Sequence, residues 1–283
     1  MDSGDNSGMI VLLAGAHGRL GSRVLALLLH RGHRVRALVR TEGQAAALRE
    51  VGADAVVTDL RGDVEWTADG CDAAVFAAGA RHRGELGPVD AAGAAKLAEA
   101  ADRYEHSRFV LCSAVGAQHP ERREGGVREF LEAKHHAEHR LAELSLPWSI
   151  LRFGRLTEDA GTGRIATALH PGRLTVSRDD AALAIAETLV RDHLARQVVN
   201  VITGDRSIAG ALDAIPPRPL PAPAAVPTGR VAPLSAAQAD NPPDAPNMIA
   251  PGAPPLDADV DWVGDGPVPP VPVGNEDPAP RLP

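Results

Sequence analysis

Met9 to Gly21, MIVLLAGAHGRLG, constrains the fold more than any other stretch of the chain. An apolar run leads into three glycines, Gly15, Gly18 and Gly21, and the apolar residues Leu20, Val24, Leu27 and Leu28 then recur with helical spacing. This reads as a buried strand, a tight turn and a helix. Glycine serves where backbone turns sharply, where it approaches a ligand closely, and where a helix packs tightly on a sheet. The helix N-terminus then offers unpaired N–H groups to a diphosphate. The spacing is G-x-x-G-x-x-G rather than G-x-G-x-x-G, and a glycine trio alone often marks only a strand-to-helix turn. Here a second strand, residues 33–40, follows within the length of one βαβ unit. The turn is therefore expected to cradle a dinucleotide through Gly15, His17, Gly18, Arg19, Leu20 and Gly21.

Strands and helices alternate through the rest of the first 215 residues. Strands are expected at 9–14, 33–39, 53–58, 72–78, 108–114, 148–153, 173–177 and 197–203, and helices at 18–31, 42–51, 88–104, 125–145, 178–192 and 207–214. Such alternation implies an α/β fold, a parallel sheet covered on both faces, with ligands bound past the carboxyl ends of its strands. Proline divides the chain. Four of its 24 prolines precede Ile215 and the other 20 fall within 216–283. A segment that rich in Pro, Ala and Asp buries too little apolar surface to offset its ordering entropy. The organisation is thus a domain over 9–215 and an unstructured tail over 216–283. Within the tail, DADVDWVGD around Trp262 is either filler, a segment packed back on the domain, or a docking motif for a protein partner.

Composition narrows the function class. The formal charge is -8 and no Lys/Arg cluster stands free of acids, which argues against nucleic acid as the main partner. Cys71 and Cys112 are too few for a disulfide framework. Met1 to Gly8 is polar and acidic, and the apolar run after it is too short to span a bilayer. A reduced, soluble, cytoplasmic protein with no membrane contact is expected.

The residues just after each strand carry the ligand chemistry. An NAD site places an acid at the end of the second strand, whereas a 2′-phosphate calls for an arginine. The strand ends on Arg40 followed by Thr41, with no acid, so NADP(H) is expected over NAD(H), and Arg19 could add a second positive group. Asp59 with Leu60 follows the third strand, where a carboxylate could accept from the adenine amino group. Ala77, Ala78, Gly79 and Ala80 follow the fourth, small enough for backbone to lie against ribose and diphosphate. Ordinary turn chemistry would account for either alone.

The fifth strand carries Ser113, and the helix after it places Val127, Phe130, Lys134, Ala137, Leu141 and Leu144 on one face. Lys134 is one of only two lysines, the other being Lys96. An ammonium in an apolar stripe costs stability unless it meets a partner or its stem packs while its head reaches water. His135 and His139 lie one helical turn apart, as in a two-histidine zinc pair, but no third ligand accompanies them and solvated histidines are expected. No metal site is assigned.

GAHGRLG, LVR ending on Arg40, Asp59-Leu60, AAGA, CSAVGA with Ser113, FLEAK ending on Lys134, and SILRFGRLTEDAGTGRI come in one order over residues 9 to 210. In that combination the chain resembles the atypical short-chain dehydrogenase/reductases with an NAD(P)H-binding domain, the group of NmrA-like and flavin/biliverdin reductase-like proteins. The resemblance implies a doubly wound, seven-stranded, Rossmann-like sheet with a small C-terminal substrate lobe. It also implies that Lys134 holds the nicotinamide ribose hydroxyls and that Ser113 sits near the reacting carbon. Two residues depart from the family. Catalytic members carry tyrosine four residues before the lysine, where this chain has Phe130, and its only tyrosine, Tyr104, precedes the fifth strand. Phe153 stands where a proline is common.

A phenyl ring donates no proton, so ketone reduction through a tyrosine is excluded. Hydride transfer needs only position. A small conjugated acceptor such as a quinone, flavin or enone could take its proton from water, Ser113 or His119. The expected function is an NADP(H)-dependent oxidoreductase of that kind. The alternative is a non-catalytic, NAD(P)-sensing regulator that binds a protein partner. A sugar-nucleotide epimerase is disfavoured, since it too relies on the missing tyrosine.

Overall fold

The structure is a computed structural model that describes residues 8–80, 83–169 and 174–218. The stretch around Trp262 and the rest of the tail beyond Arg218 lie outside them. In chain order the elements are β1 (Ile10–Ala14), α1 (Arg19–His30), β2 (Arg34–Val39), α2 (Glu42–Glu50), β3 (Asp54–Val57) and β4 (Ala73–Phe76). A widened, π-helical stretch over Leu86–Gly93 then runs into α3 (Ala94–Arg103). After it come β5 (Arg108–Ala114), α4 (Gly125–Ala142), β6 (Trp148–Phe153), β7 (Arg155–Thr157), β8 (Arg164–Ala166), β9 (Thr175–Ser177) and α5 (Arg178–Leu189). The chain continues through β10 (Gln197–Thr203) and β11 (Arg206–Ser207) to α6 (Ile208–Asp213).

Seven strands pair in parallel in the order β3-β2-β1-β4-β5-β6-β10, and the short β8 and β11 add antiparallel at the far edge. The central strands are buried almost throughout, which is why they read as continuous apolar runs rather than alternating ones. Two cores follow from the alternation of side chains across the sheet. Val11, Leu13 and Val75 meet α1 and α5 on one face, through Val24, Leu28 and Ile185. Leu12, Phe76 and Leu111 meet α3 and α4 on the other, through Leu97, Ala137 and Leu141. This is the doubly wound Rossmann-like architecture, with the strand order reversing at β1 and β4. Among the described residues no helix is long and apolar enough to cross a membrane.

Three elements differ from expectation. The strand expected at 173–177 is Thr175–Ser177 and stands outside the main sheet, paired with β7 in a two-stranded sheet of its own. The reason lies at Gly154, where the chain leaves β6. A Cβ there would sit 2.4 Å from the Leu174 carbonyl oxygen, so only glycine lets the two segments close. The helix expected at 88–104 begins instead with the π-helical stretch, whose wider turn carries Asp90 inward to complete burial. On α4, Val127 is exposed while Ala133 and Glu138 are buried, because the helix packs against Ala80, Leu86 and Ala91 as well as against the sheet.

Candidate functional site: a dinucleotide groove and a buried lysine

A groove opens where the strand order reverses, past the carboxyl ends of β1, β2, β3 and β4. Of the residues expected there, Gly15, His17, Gly18, Arg40, Asp59, Leu60, Ala78 and Gly79 line it, and Gln44, Arg61 and Glu85 join them. Such a crevice at the topological switch point is where open α/β sheets bind ligands. Gly15 has φ +88°, and a Cβ on it would lie 2.6 Å from the Ala78 backbone nitrogen. A Cβ on Gly21 would lie 2.0 Å from the Gly15 carbonyl oxygen. The turn and the small residues after β4 are therefore fitted to each other. Gly18 caps α1 with no side-chain hydrogen bond to its first turn, so that end of the helix faces the groove with its N–H groups. The cradle fits a dinucleotide diphosphate.

Two residues of the glycine stretch turn away from the groove. Leu20 is buried in the core. Arg19 Nη1 donates to Glu158 Oε1 at 3.3 Å, and the same carboxylate takes Arg23 Nη2 at 2.9 Å and the fully buried Arg178 at 2.7 Å. Arg19 thus ties the glycine turn to the loop after β7. On that loop, the backbone N–H groups of Thr162 and Gly163 donate to Asp180 of α5 at 2.7 to 3.0 Å, which holds the family-like stretch LTEDAGTGRI against that helix.

At the β2 and β3 end of the groove, Arg40 is exposed and its backbone N–H donates to Gln44 Oε1 at 3.0 Å. Asp59 is gripped by Arg61, whose Nε donates at 3.0 and 2.9 Å to the two carboxylate oxygens and whose Nη2 donates at 2.6 Å to Oδ2. These hydrogen bonds, with the charges of Arg61 and Arg40, hold the Asp59 carboxyl below the usual carboxylate range. Sequence reasoning missed Arg61. The signal was an arginine two residues past an acid in a tight turn, close enough to fold back on it.

Ser113 lies near the end of β5 and Lys134 beside it on α4, both outside the lining of the groove. The Lys134 ammonium meets the Asp90 carboxylate at 2.7 Å, donates to the Cys112 carbonyl at 3.3 Å and lies 5.6 Å from the centre of the Phe130 ring. Asp90 Oδ2 also accepts from the Ala80 backbone N–H at 2.6 Å. Ser113 Oγ donates to Glu138 Oε1 at 2.5 Å, and Glu138 is paired in turn with Arg152 at 2.9 and 2.5 Å. Neither Asp90 nor Glu138 was singled out from the sequence, although a lone acid in the apolar stretch PVDAAGAA is the complement a lone buried lysine needs. Burial pushes the Cys112 thiol up to about 12.

Of the remaining candidates, His119 and His139 are exposed and His135 is half-buried. His119 lies on the loop after β5, its Nδ1 3.3 Å from Glu121. His135 shares a hydrogen bond of 2.9 Å with the Ala117 carbonyl and stands edge-on to His139 at 5.0 Å. Among the described residues no three His, Cys, Asp or Glu side chains come together as a metal site.

Comparison with known proteins agrees with this geometry. The model of a family described as NAD(P)H-binding matches residues 15–192. The Bacillus subtilis protein YhfK, named an uncharacterized sugar epimerase, is 36% identical over 213 residues, covering 72% of this chain and 99% of YhfK. A Bacillus halodurans structure carrying the name NAD-dependent epimerase/dehydratase is 33% identical with a TM-score of 0.69, over 74% of this chain and 100% of that one. ChuY of Escherichia coli O157:H7, an anaerobilin reductase by name, is 25% identical with a TM-score of 0.60, over 70% and 98% of the two chains.

Proposed function

Starting from a chain that belongs to the NAD(P)H-binding family, we propose that it is an NADP(H)-dependent oxidoreductase acting on a small conjugated acceptor such as a quinone, flavin or enone. The observation that carries the cofactor choice is Arg40, which stands in the groove at the end of β2 where an NAD site would place an acid. A guanidinium fork matches a phosphate and offers nothing comparable to a ribose hydroxyl pair. When bound, the cofactor supplies a hydride. Gly15, Gly18 and the N-terminus of α1 hold its diphosphate, and Ala78 and Gly79 leave room for the backbone to lie alongside it.

Phe130 supports the conjugated acceptor. Its ring faces Lys134 from the place where the family's catalytic members carry tyrosine, so no phenol stands ready to protonate a simple carbonyl. The Ser113 hydroxyl donates its hydrogen bond to Glu138. An acceptor that spreads the incoming electrons over a conjugated system can draw its proton from water. The same residue weighs against epimerase chemistry, whatever the names of the relatives. ChuY is named a reductase, and it shares this fold.

A second reading, a regulator that binds NADP(H) without turnover, is favoured by one observation. Both polar groups that the family would use, Lys134 and Ser113, are engaged by the protein's own carboxylates. Calorimetry with NADPH and NADH on the wild type and on Arg40→Ala tests the cofactor choice, and equal affinities in the wild type would end it. Following NADPH oxidation against a panel of quinones, flavins and enones separates the two readings, since the regulator oxidises none of them.

A further inference from the structure

On the reading that the groove takes NADP(H), we infer that Arg61 is a second ligand of the 2′-phosphate and that Asp59 is its positioning residue rather than the acceptor of the adenine amino group. An ionised carboxylate has about four acceptor positions. Arg61 addresses both Asp59 oxygens through Nε and Nη2, and its own backbone N–H adds a bond to Oδ1 at 2.9 Å. Little of the carboxylate is left for a base. The guanidinium, by contrast, spends only its Nε and Nη2 edge on Asp59, and Nη1 carries two further N–H donors on the same rigid plane.

The surroundings place Arg61 in the same groove as Arg40. β2 and β3 are parallel neighbours, with Val39 opposite Val57, so the segments that follow them leave the sheet side by side. Arg40, Asp59 and Arg61 all line the groove. Asp59 alone would repel a phosphate. Arg40 and Arg61 flank it and offset its charge and that of Glu85, which also lines the groove, and Asp59 fixes one fork. A 2′-phosphate carries close to two negative charges near neutral pH and presents three acceptor oxygens, which the N–H forks of two arginines are shaped to address. The turn itself is pinned by Lys96, whose Nζ donates to the Arg61 and Gly62 carbonyls at 2.6 and 3.1 Å. The second of the chain's two lysines thereby holds the backbone from which Arg61 projects.

The test is calorimetry of the full chain with NADPH, NADH, adenosine 2′,5′-bisphosphate and AMP. Wild type is compared with Arg40→Ala, Arg61→Ala, Arg61→Lys and Asp59→Asn, each checked for an unchanged thermal melt. Arg61→Ala should weaken NADPH and the bisphosphate by about tenfold or more, as the loss of a charge-assisted bond requires, and should lower the NADPH-to-NADH preference. Arg61→Lys, which keeps the charge and loses the fork, should recover only part of it. Asp59→Asn should lower the same preference while NADH and AMP bind as in the wild type. If Asp59→Asn weakens NADPH, NADH and AMP by one common factor, Asp59 reads the adenine and the inference falls. It falls also if Arg61→Ala leaves the preference intact while Arg40→Ala removes it, an outcome that leaves the NADP(H) reading standing. Equal wild-type affinity for NADPH and NADH would sink both.

Discussion

The Lys134 ammonium lies 2.7 Å from the Asp90 carboxylate, with the two side chains 7% and 0% exposed. Their separation from water makes each dependent on the other, since desolvating one ion unpaired costs several kcal/mol. The pair joins α4 to the π-helical stretch before α3, and the Ala80 N–H that Asp90 also accepts ties both to the end of β4. A lysine that interrupts an apolar helix face is thereby a structural hinge pin as well as a neighbour of the site.

Asp90→Ala should therefore destabilise the protein by about 3–5 kcal/mol, the usual cost of stranding a buried charge. Asp90→Leu combined with Lys134→Met should recover most of that loss. Urea unfolding of the single and double variants measures both. A cost for Asp90→Ala below about 1 kcal/mol would mean that water reaches the pair.

Phe130→Tyr should place a hydroxyl near the Lys134 ammonium, from which the ring centre is now 5.6 Å away. A positive neighbour favours the phenolate and lowers the phenol's pKa toward the range a proton donor needs. The variant should gain reduction of simple ketones or aldehydes, and Lys134→Ala in that background should abolish the gain. No gain at unchanged NADPH affinity would favour the regulator. Asp90 sets a condition on this result, because it already holds the ammonium.

Stability should fall as the pH drops below neutrality, in part through His106. This histidine is buried and shares a 2.8 Å hydrogen bond with the Ala68 carbonyl through Nε2. Desolvation holds its pKa below the ordinary 6.5, against the opposing effects of that bond and of Asp72. Above 6.5 neither the folded nor the unfolded histidine is protonated and stability is unaffected. Below it the unfolded chain takes up a proton that the folded one refuses, so stability declines until the folded pKa is reached. His33, lowered for the same reason, contributes in the same direction. His106→Gln should show a shallower decline in unfolding free energy from pH 7 to pH 5 than the wild type. An unchanged slope would mean that His106 does not titrate between the two states.

A chain ended at Ile215 should keep cooperative thermal unfolding and NADPH binding. The last strand and helix, β11 and α6, are complete by Asp213, and the similarity to YhfK spans 99% of that protein with 72% of this chain. Among the described residues, the truncation removes the hydrogen bond that the Gln197 side chain donates to the Pro216 carbonyl at 2.8 Å, at an expected cost of about 1 kcal/mol. A non-cooperative melt would show that the segment beyond packs as part of the fold.

What could be read along the chain was what short stretches determine by themselves. The glycine turn, the apolar strands and the helix periods depend on local backbone freedom and on which residues must be buried, so β1, α1, β2, β5, β6 and β10 stand within a residue or two of where their patterns put them. Arg40, Asp59 and Gly79 came together in the groove because a parallel sheet brings every strand's carboxyl end to one side. Partner choice was another matter. That Lys134 meets Asp90, that Ser113 donates its hydrogen bond to Glu138, that Arg19 reaches from the cofactor turn to Glu158, and that β9 pairs with β7 outside the main sheet all hang on the path of intervening backbone. A buried charge takes whichever opposite charge the fold carries within about 4 Å of it, and sequence spacing does not encode that distance. The folded path of the backbone sets it.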